Sequence, residues 1–226
     1  MSPPLIVIVG AGGHGKVLAE ALRAGGVPVR GFVEADPGRH GGAVLSLPVL
    51  GGDNVVFGMS PESVELVNGV GSVANPMQRR AVYEKFVAHG FRFRTVVHPA
   101  AVVAPDAILS DGAQAMAGVV VQPGCRIGTD AIINTGARID HDCVVGEHAH
   151  VAPGAILCGN VEIGDGTHVG AGATVIQGCR VGAGVLVAAG GVVVRDIPDG
   201  TKVAGAPARA MRSARTGKIV HETNGR

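Results

Sequence analysis

The sequence predicts an α/β domain over residues 1–96, an all-β solenoid over residues 97–211 and a flexible tail over residues 212–226. Three observations support this division. A strand, a glycine-rich loop and a helix follow one another near the start. Aliphatic residues recur at every sixth position in the second half. The chain has 37 glycines but no tryptophan and only five phenylalanines, which favours many short stacked elements over an aromatic core.

The first predicted elements are a buried strand over Leu5–Val9 and a helix that ends at Ala24, before two glycines. The loop between them, Gly10–Gly15, satisfies the GxGxxG spacing. A second strand over Val29–Val33 follows. A glycine-rich loop between a strand and a helix is typical of the phosphate-binding turn of a Rossmann fold.

A further helix is predicted to begin with Asn75 as its cap and Pro76 at its first position. It continues to about His89, where Gly90 ends it. The segment 91–97 then leads into the repeats. This arrangement predicts about half of a doubly wound sheet, because a dinucleotide needs two mononucleotide-binding halves.

Half of such a site suits a nucleoside diphosphate, whose phosphate would meet the backbone N–H groups at the helix start. The loop residues expected to bind it are Gly12, Gly13, His14 and Gly15. The acidic residues after the second strand, Glu34 and Asp36, can hydrogen-bond to a ribose or a base. The alternative is a tight turn that binds no ligand.

The second half is a six-residue repeat. Fifteen of sixteen positions taken in steps of six from Val103 to Val193 are Val, Ile or Leu; the exception is Ala115. A period of six fits neither a helix nor a plain strand. It predicts a triangular solenoid in which three hexapeptides make one coil, the aliphatic side chain points inward, and a Gly, Asn or Asp turns each corner.

Small side chains follow most corners, and three of the four cysteines (Cys125, Cys143 and Cys179) occupy this slot. With no CxxC spacing, we interpret the cysteines as small buried hydrophobes in a reducing compartment. The net charge of +1 and the lack of a basic run disfavour nucleic-acid binding. We expect no signal peptide, because no charged segment followed by an apolar run precedes the first predicted strand. We expect no membrane insertion and a cytoplasmic location, because uncharged stretches such as residues 181–194 are too short and too glycine-rich to span a bilayer.

His141 is the best candidate for a catalytic base. Its position two residues after an inward aliphatic predicts a corner, with Asp140 and Asp142 on either side to orient the ring and raise its pKa. Gly159 lies one coil above, where its N–H could approach a ligand. His150 and His168 are also one coil apart and should stack on another face, beside a possible cleft with a neighbouring subunit. For His148 and His168, a solvated or corner position is the alternative.

The GGHG loop, followed by repeats that carry an NTG segment at 134–136 and DHDC at 140–143, resembles the bacterial sugar-nucleotide acetyltransferases. This group includes bacillosamine-pathway and perosamine N-acetyltransferases and a sialic acid O-acetyltransferase. The resemblance covers about residues 4–211. It implies a left-handed parallel β-helix, acetyl-coenzyme A as co-substrate, no metal, and a homotrimer with active sites between subunits. The Asp after the histidine is most similar to the GDP-perosamine enzymes, whereas bacillosamine-type enzymes have Glu there.

The resemblance also implies roles for individual residues. His141 would be the general base, Asp142 its hydrogen-bond partner, and Asn134 a residue of the reaction centre. The GGHG loop and the acidic pair would bind the sugar nucleotide. The residues expected to contact acetyl-coenzyme A are His150, Gly159, Ala171 and Ala189.

Together these features predict acetyl transfer to the 4-amino group of a nucleotide-linked 4-amino-6-deoxy sugar by direct attack. An O-acetyltransferase and a non-catalytic sugar-nucleotide-binding protein remain alternatives. The histidine spacings do not resemble those of the zinc carbonic anhydrases with a similar helix, and a nicotinamide oxidoreductase would rest on GxGxxG alone. The sequence leaves open the nucleotide base, the exact sugar and the pathway.

Overall fold

The computed structural model describes residues 4–72 and 76–211. The predicted cap Asn75 and the predicted tail, residues 212–226, lie outside this range. A six-stranded sheet with three α-helices comes first, and a parallel β-helix built from three stacked sheets follows.

The first domain contains β1 to β6, α1 to α3 and one short 3-10 helix (Pro37–Arg39). The bounds are β1 Leu5–Val9, α1 Gly13–Ala24, β2 Val29–Val33, β3 Ala43–Val44, β4 Leu47–Gly51, α2 Asp53–Phe57, β5 Val64–Asn68, α3 Pro76–Ala88 and β6 Arg92–Phe93. The sheet order is β3-β4-β2-β1-β5-β6, and only the β3–β4 pair is antiparallel. The predicted strands β1 and β2 and helix α1 are confirmed, whereas the sequence analysis missed β3, β4, α2 and β5.

The loops that follow β1 and β5 meet at one edge of this sheet, because the two strands are parallel neighbours. They touch at two glycines. A Cβ on Gly69 would lie 2.6 Å from the carbonyl oxygen of Gly10, so no larger residue fits there. Gly15 is equally constrained by the Gly10 carbonyl. This contact holds the glycine-rich loop against the segment after β5.

The β-helix has three faces whose strands stack with an 18-residue register. The first face consists of β7 Val96–Val97, β10 Gln114–Ala115, β13 Ile132–Ile133, β16 His150–Val151, β19 His168–Val169, β22 Leu186–Val187, β24 Lys202–Ala204 and the antiparallel β25 Arg209–Ala210. The second consists of β8 Val102–Val103, β11 Val120–Val121, β14 Arg138–Ile139, β17 Ile156–Leu157, β20 Thr174–Val175 and β23 Val192–Val193. The third consists of β9 Ile108–Leu109, β12 Arg126–Ile127, β15 Val144–Val145, β18 Glu162–Ile163 and β21 Arg180–Val181.

The core of the β-helix is formed by the predicted inward positions. From Ala115 to Val193 every one of them is buried. Each such aliphatic side chain contributes about 1.5–3 kcal/mol on burial. Val103 and Leu109 are only half-buried, because they belong to the first coil, which has no coil beneath it to cover them.

The corners adopt the left-handed backbone conformation that the repeat predicts. Besides glycines, Asp130, Asp142, His148 and Asn160 have φ between +55° and +60° there. His148 is therefore a corner histidine, as the alternative of a solvated or corner position expected. It is buried rather than solvated, because Tyr83 of α3 packs on its ring at 5.4 Å between centroids.

A buried charge cluster joins the two domains. Arg79 of α3 is fully buried and donates from Nη2 to Asp130 Oδ1 at 2.6 Å. Its Nη1 atom donates to the carbonyl oxygens of Asn68 and Val70, at 2.9 and 2.7 Å. The Nδ1 atom of His148 lies 3.0 Å from the same carboxylate. The first domain is thus fixed to the corner between the third and first faces. The boundary proposed after residue 96 falls within β7.

Candidate active site

His141 lies at the corner between β14 and β15, and 60% of its side chain is exposed. Its Nδ1 atom is 2.8 Å from Asp142 Oδ2, and its backbone N–H donates to Asp140 Oδ1 at 2.8 Å. A carboxylate can only accept a hydrogen bond, so Nδ1 carries the hydrogen and the lone pair lies on Nε2. The predicted exposed corner and the two flanking carboxylates are confirmed by this geometry.

Both carboxylates act on the ionisation of His141. The hydrogen bond to Asp142 is the largest cause, the charge of Asp140 is the next, and together they raise the pKa of the ring above its ordinary value. A higher pKa makes Nε2 a better proton acceptor once the ring is neutral.

Gly159, one coil above, lies directly against this ring. A Cβ at this position would lie 2.6 Å from Nε2 and 2.7 Å from Cε1 of His141. The glycine is therefore required by the ring itself, a reason that the sequence analysis did not supply. Among the described residues the Gly159 N–H has no hydrogen-bond acceptor, and its predicted role as a donor to the ligand stays a prediction. We call residues 140–142 with Gly159 the base corner.

His150 lies on the first face, where the first domain covers it. It is 4% exposed, with Nδ1 at 2.7 Å from Ser72 Oγ and Nε2 at 3.0 Å from Asn134 Nδ2. Both ring nitrogens are thus engaged within the chain. The sequence led us to expect this face beside a neighbouring subunit. Instead, this chain's own first domain covers His150.

His168 stacks above His150 as predicted. The two rings meet edge to face with their centroids 4.8 Å apart. Burial, followed by the proximity of His168, lowers the pKa of His150 to about 3, and burial also lowers the pKa of His168. Both rings are therefore neutral at neutral pH. In the described part of the chain, Nδ1 of His168 is buried without a hydrogen-bond partner.

His14, in the glycine-rich loop, reaches the β-helix. Its Nε2 lies 2.7 Å from Gln114 Oε1, and Gln114 Nε2 donates to the Asn68 carbonyl at 2.9 Å. Burial and then the charge of Arg79 lower the pKa of His14 to about 4. We call His14, Ser72, Gln114, Asn134 and His150 the junction cluster.

The neighbouring glycines leave space for a ligand. A Cβ on Gly12 or Gly13 would have no heavy atom within 4 Å. Gly12 is the N-cap of α1 and provides no side-chain cap for its N–H groups. This end of α1 can therefore accept an anionic group.

The acidic residues after β2 already have partners within the chain. Glu34 accepts from the Ala11 N–H at 3.0 Å and pairs with Arg39 at 3.0 Å. Asp36 caps the short 3-10 helix by accepting from the Gly38 N–H at 2.9 Å. The sequence analysis missed Arg39, which places a cation beside the loop.

The described chain brings the predicted site residues together in two groups. Asn134 contacts His150 and not His141, because it follows β13 and so lies at the corner between the first and second faces. Ala171 and Ala189 stack above this same corner. His141 and Gly159 lie at the other end of the second face. Ser72 and Gln114 were not predicted from the sequence. The two glycines after β5, at positions 69 and 71, are the sequence signal that could have located Ser72.

Within residues 4–72 and 76–211, no group of three or more His, Cys, Asp or Glu could hold a metal ion. No helix in that part of the chain has the length and hydropathy to cross a membrane.

Known protein families match segments in both halves of the chain. Residues 5–86 match the PglD N-terminal domain, and residues 142–177 match the bacterial transferase hexapeptide family. Perosamine N-acetyltransferase from Caulobacter crescentus, solved as an H141N mutant with CoA and GDP-perosamine, is 40% identical. It matches over 94% of this chain and 99% of that one, with a TM-score of 0.87. The chain belongs to the hexapeptide-repeat sugar-nucleotide N-acetyltransferase family.

Two further solved structures have the same architecture. The acetyltransferase domain of PglB from Neisseria gonorrhoeae, solved with acetyl coenzyme A, is 40% identical over 93% of this chain and 100% of that one, with a TM-score of 0.86. WeeI from Acinetobacter baumannii, at 24% identity and a TM-score of 0.83, shows the shared fold. The predicted fold class, a Rossmann-like α/β domain followed by a left-handed parallel β-helix, is confirmed. A search of curated proteins found no match.

Proposed function

We propose that this protein transfers the acetyl group of acetyl-coenzyme A to the 4-amino group of a nucleotide-linked 4-amino-6-deoxy sugar. Perosamine N-acetyltransferase, the relative solved with CoA and GDP-perosamine, supports this class of acceptor. The base corner is the observation that carries the proposal. Its Asp142–His141 hydrogen bond leaves one basic nitrogen directed away from the carboxylate.

His141 acts as the general base. The amine nitrogen attacks the thioester carbonyl carbon, and its proton passes to Nε2 of His141 while Asp142 holds the Nδ1 hydrogen. The C–S bond then breaks, and the proton leaves with coenzyme A as its thiol. A direct attack of this kind needs neither an acyl-enzyme nor a metal ion, and positioning of the two substrates supplies much of the acceleration.

The carbonyl oxygen gains negative charge during the attack. The Gly159 N–H is the donor we assign to it, because this N–H has no acceptor among the described residues and Gly159 packs directly against the His141 ring. A donor already in place at the developing charge lowers the barrier without reorganisation.

The sugar nucleotide binds to the first domain. The open space at Gly12 and Gly13 and the uncapped start of α1 suit its diphosphate. Arg39 adds a positive charge beside them, with 38% of its side chain exposed. Glu34 and Asp36 remain the predicted contacts to the nucleoside, and their hydrogen bonds within the chain would orient them for it.

A homotrimer would complete the site. The base corner and the corner of Asn134, Ala171 and Ala189 lie at opposite ends of the second face, so one chain does not place both against one thioester. A neighbouring subunit can bring its second corner to the first. We therefore propose that acetyl-coenzyme A lies between subunits, where it contacts Gly159, Ala171 and Ala189. The predicted contact with His150 would need an edge of this covered ring to meet the ligand, because both of its nitrogens are engaged within the chain. We also expect the enzyme to act in the cytoplasm, consistent with its free cysteines.

Thiol release from acetyl-coenzyme A tests the proposal. The acceptors are GDP-perosamine, UDP- and dTDP-linked 4-amino sugars and a CMP-sialic acid. We expect turnover with a 4-amino sugar nucleotide, GDP-perosamine first, because Asp142 follows His141. Turnover with only the hydroxylated acceptor would instead make the protein an O-acetyltransferase, and no turnover with any acceptor would contradict the enzymatic assignment.

A further inference from the structure

The orientation of the Asn134 amide is fixed by its neighbour. The backbone N–H of Thr135 donates to Asn134 Oδ1 at 2.8 Å. A backbone N–H can only donate, so the atom facing it must be the amide oxygen. The amide nitrogen therefore faces His150, with Nδ2 at 3.0 Å from Nε2.

This orientation fixes the tautomer of His150. The Asn134 amide nitrogen can only donate, so Nε2 of His150 accepts and carries no hydrogen. Because burial keeps the ring neutral, its one hydrogen is on Nδ1. Nδ1 consequently donates to Ser72 Oγ, 2.7 Å away.

The Ser72 hydroxyl is left with an unused hydrogen. Its oxygen accepts from His150, so its own O–H must point elsewhere. Ser72 is 2% exposed, and within the described residues its O–H has no acceptor. A buried hydroxyl donor without an acceptor is destabilising, and an oxygen atom of a ligand would satisfy it.

Ser72 lies between the glycine-rich loop of the first domain and the first face of the β-helix. It follows β5, four residues beyond its end, at the sheet edge that also holds the glycine-rich loop. A Cβ on Gly71 would lie 3.9 Å from the Cβ of His14. The diphosphate belongs at the start of α1 and the acetyl group on the β-helix, so the sugar ring must occupy the junction between them.

We propose that Ser72 is a substrate-binding residue that donates a hydrogen bond to a hydroxyl oxygen of the sugar, and that His150 is a positioning residue that directs this donor. The chain of bonds runs from the Thr135 N–H through Asn134 and His150 to Ser72. It connects the corner assigned to acetyl-coenzyme A with the sugar. This inference rests on the proposed function.

Steady-state kinetics test the Ser72 part. For Ser72→Ala we expect the KM of the sugar nucleotide to rise about tenfold, which corresponds to about 1.4 kcal/mol, with the KM of acetyl-coenzyme A unchanged. Inhibition by the free nucleoside diphosphate should also be unchanged, because it lacks the sugar. Ser72→Thr, which keeps the hydroxyl, should restore the KM. Ser63→Ala is the matched control, since that hydroxyl bonds to the Ser60 carbonyl before β5 begins.

Three kinetic outcomes would overturn it: an unchanged KM in Ser72→Ala, an equal loss of nucleoside diphosphate binding, or no rescue by Ser72→Thr. The tautomer is tested separately, without turnover, by ¹⁵N NMR of histidine-labelled protein, with His150→Gln to assign the signals. We expect a protonated Nδ1 and an unprotonated Nε2 at neutral pH. The opposite tautomer, or an imidazolium, would refute the role of His150. Failure of wild-type turnover would contradict the proposed function itself. The NMR result would still decide the tautomer of His150, because it does not depend on turnover.

Discussion

His141 Nδ1 lies 2.8 Å from Asp142 Oδ2, and the two residues are neighbours at one corner of the β-helix. The left-handed backbone of Asp142, with φ of +60°, places its carboxylate beside the preceding ring. One turn of chain thus supplies both the base and the group that orients it.

Asp142→Asn tests the orienting carboxylate. Asparagine tolerates the left-handed conformation, so the fold should be unaffected, and the loss of charge should lower kcat about 10- to 100-fold. The active form of His141 is neutral, so kcat falls as pH falls through its raised pKa. Without the carboxylate, that decline should move to lower pH. A pH–rate profile measures it, and an unshifted profile would contradict the assignment.

Gly159→Ala tests the close contact between Gly159 and the His141 ring. The added methyl group would collide with the His141 ring. The exposed ring can swing away at little cost in stability, but then Nε2 leaves its position, and we expect kcat to fall at least 100-fold. Gly58→Ala is the matched control, because a Cβ there makes only ordinary contacts of 3.6 Å. Near-normal kcat in Gly159→Ala would mean that the ring position is not critical.

Gly13→Ala tests the diphosphate site. A methyl group at this position meets open space in the chain, so folding and the melting temperature should not change. It would, however, occupy the space of a phosphate at the start of α1, and the KM for the sugar nucleotide should rise about tenfold or more. Kinetics with each substrate varied separately provide the measurement. If the KM stays at its wild-type value, the diphosphate binds elsewhere.

Arg79→Leu tests the junction between domains. The change leaves Asp130 buried without its cationic partner, which costs about 3–5 kcal/mol of unfolding free energy. Arg80→Leu is the control, because Arg80 pairs with Glu84 on the exposed face of the same helix, where solvent screens the pair and its loss should change stability far less. Thermal unfolding at matched protein concentration compares them, and equal losses would show that the buried pair adds no stability.

The six-residue repeat made most of the β-helix predictable. Burial of an aliphatic at each inward position and a left-handed corner three residues later are local consequences of the period, so the exposed corner at His141 followed directly. The burial of His148 and His150 did not, because it depends on where the first domain docks on the helix. That docking brings Ser72 and Arg79 against residues 51 or more positions away, a distance that no local pattern encodes.

The function of Gly159 was predictable in part. The 18-residue spacing placed it one coil above His141, but the sequence could not show that the ring itself fills the space of a missing Cβ. The separation of Asn134 from His141 was also not foreseen, because seven residues are more than one hexapeptide and lead to the next corner. Closeness in the sequence did not predict which residues lie beside His141, whereas the 18-residue register of the coil did.

The most direct test of the central claim is the acetyl-transfer rate of His141→Asn, measured together with binding of both substrates by calorimetry. We predict a loss of at least 100-fold in kcat, with the affinities for acetyl-coenzyme A and the sugar nucleotide retained. His89→Asn, at the exposed residue that follows α3, is the control. The H141N mutant of the Caulobacter crescentus enzyme was solved with both CoA and GDP-perosamine. A His141→Asn variant that turns over at the wild-type rate would contradict the assignment of His141 as the base.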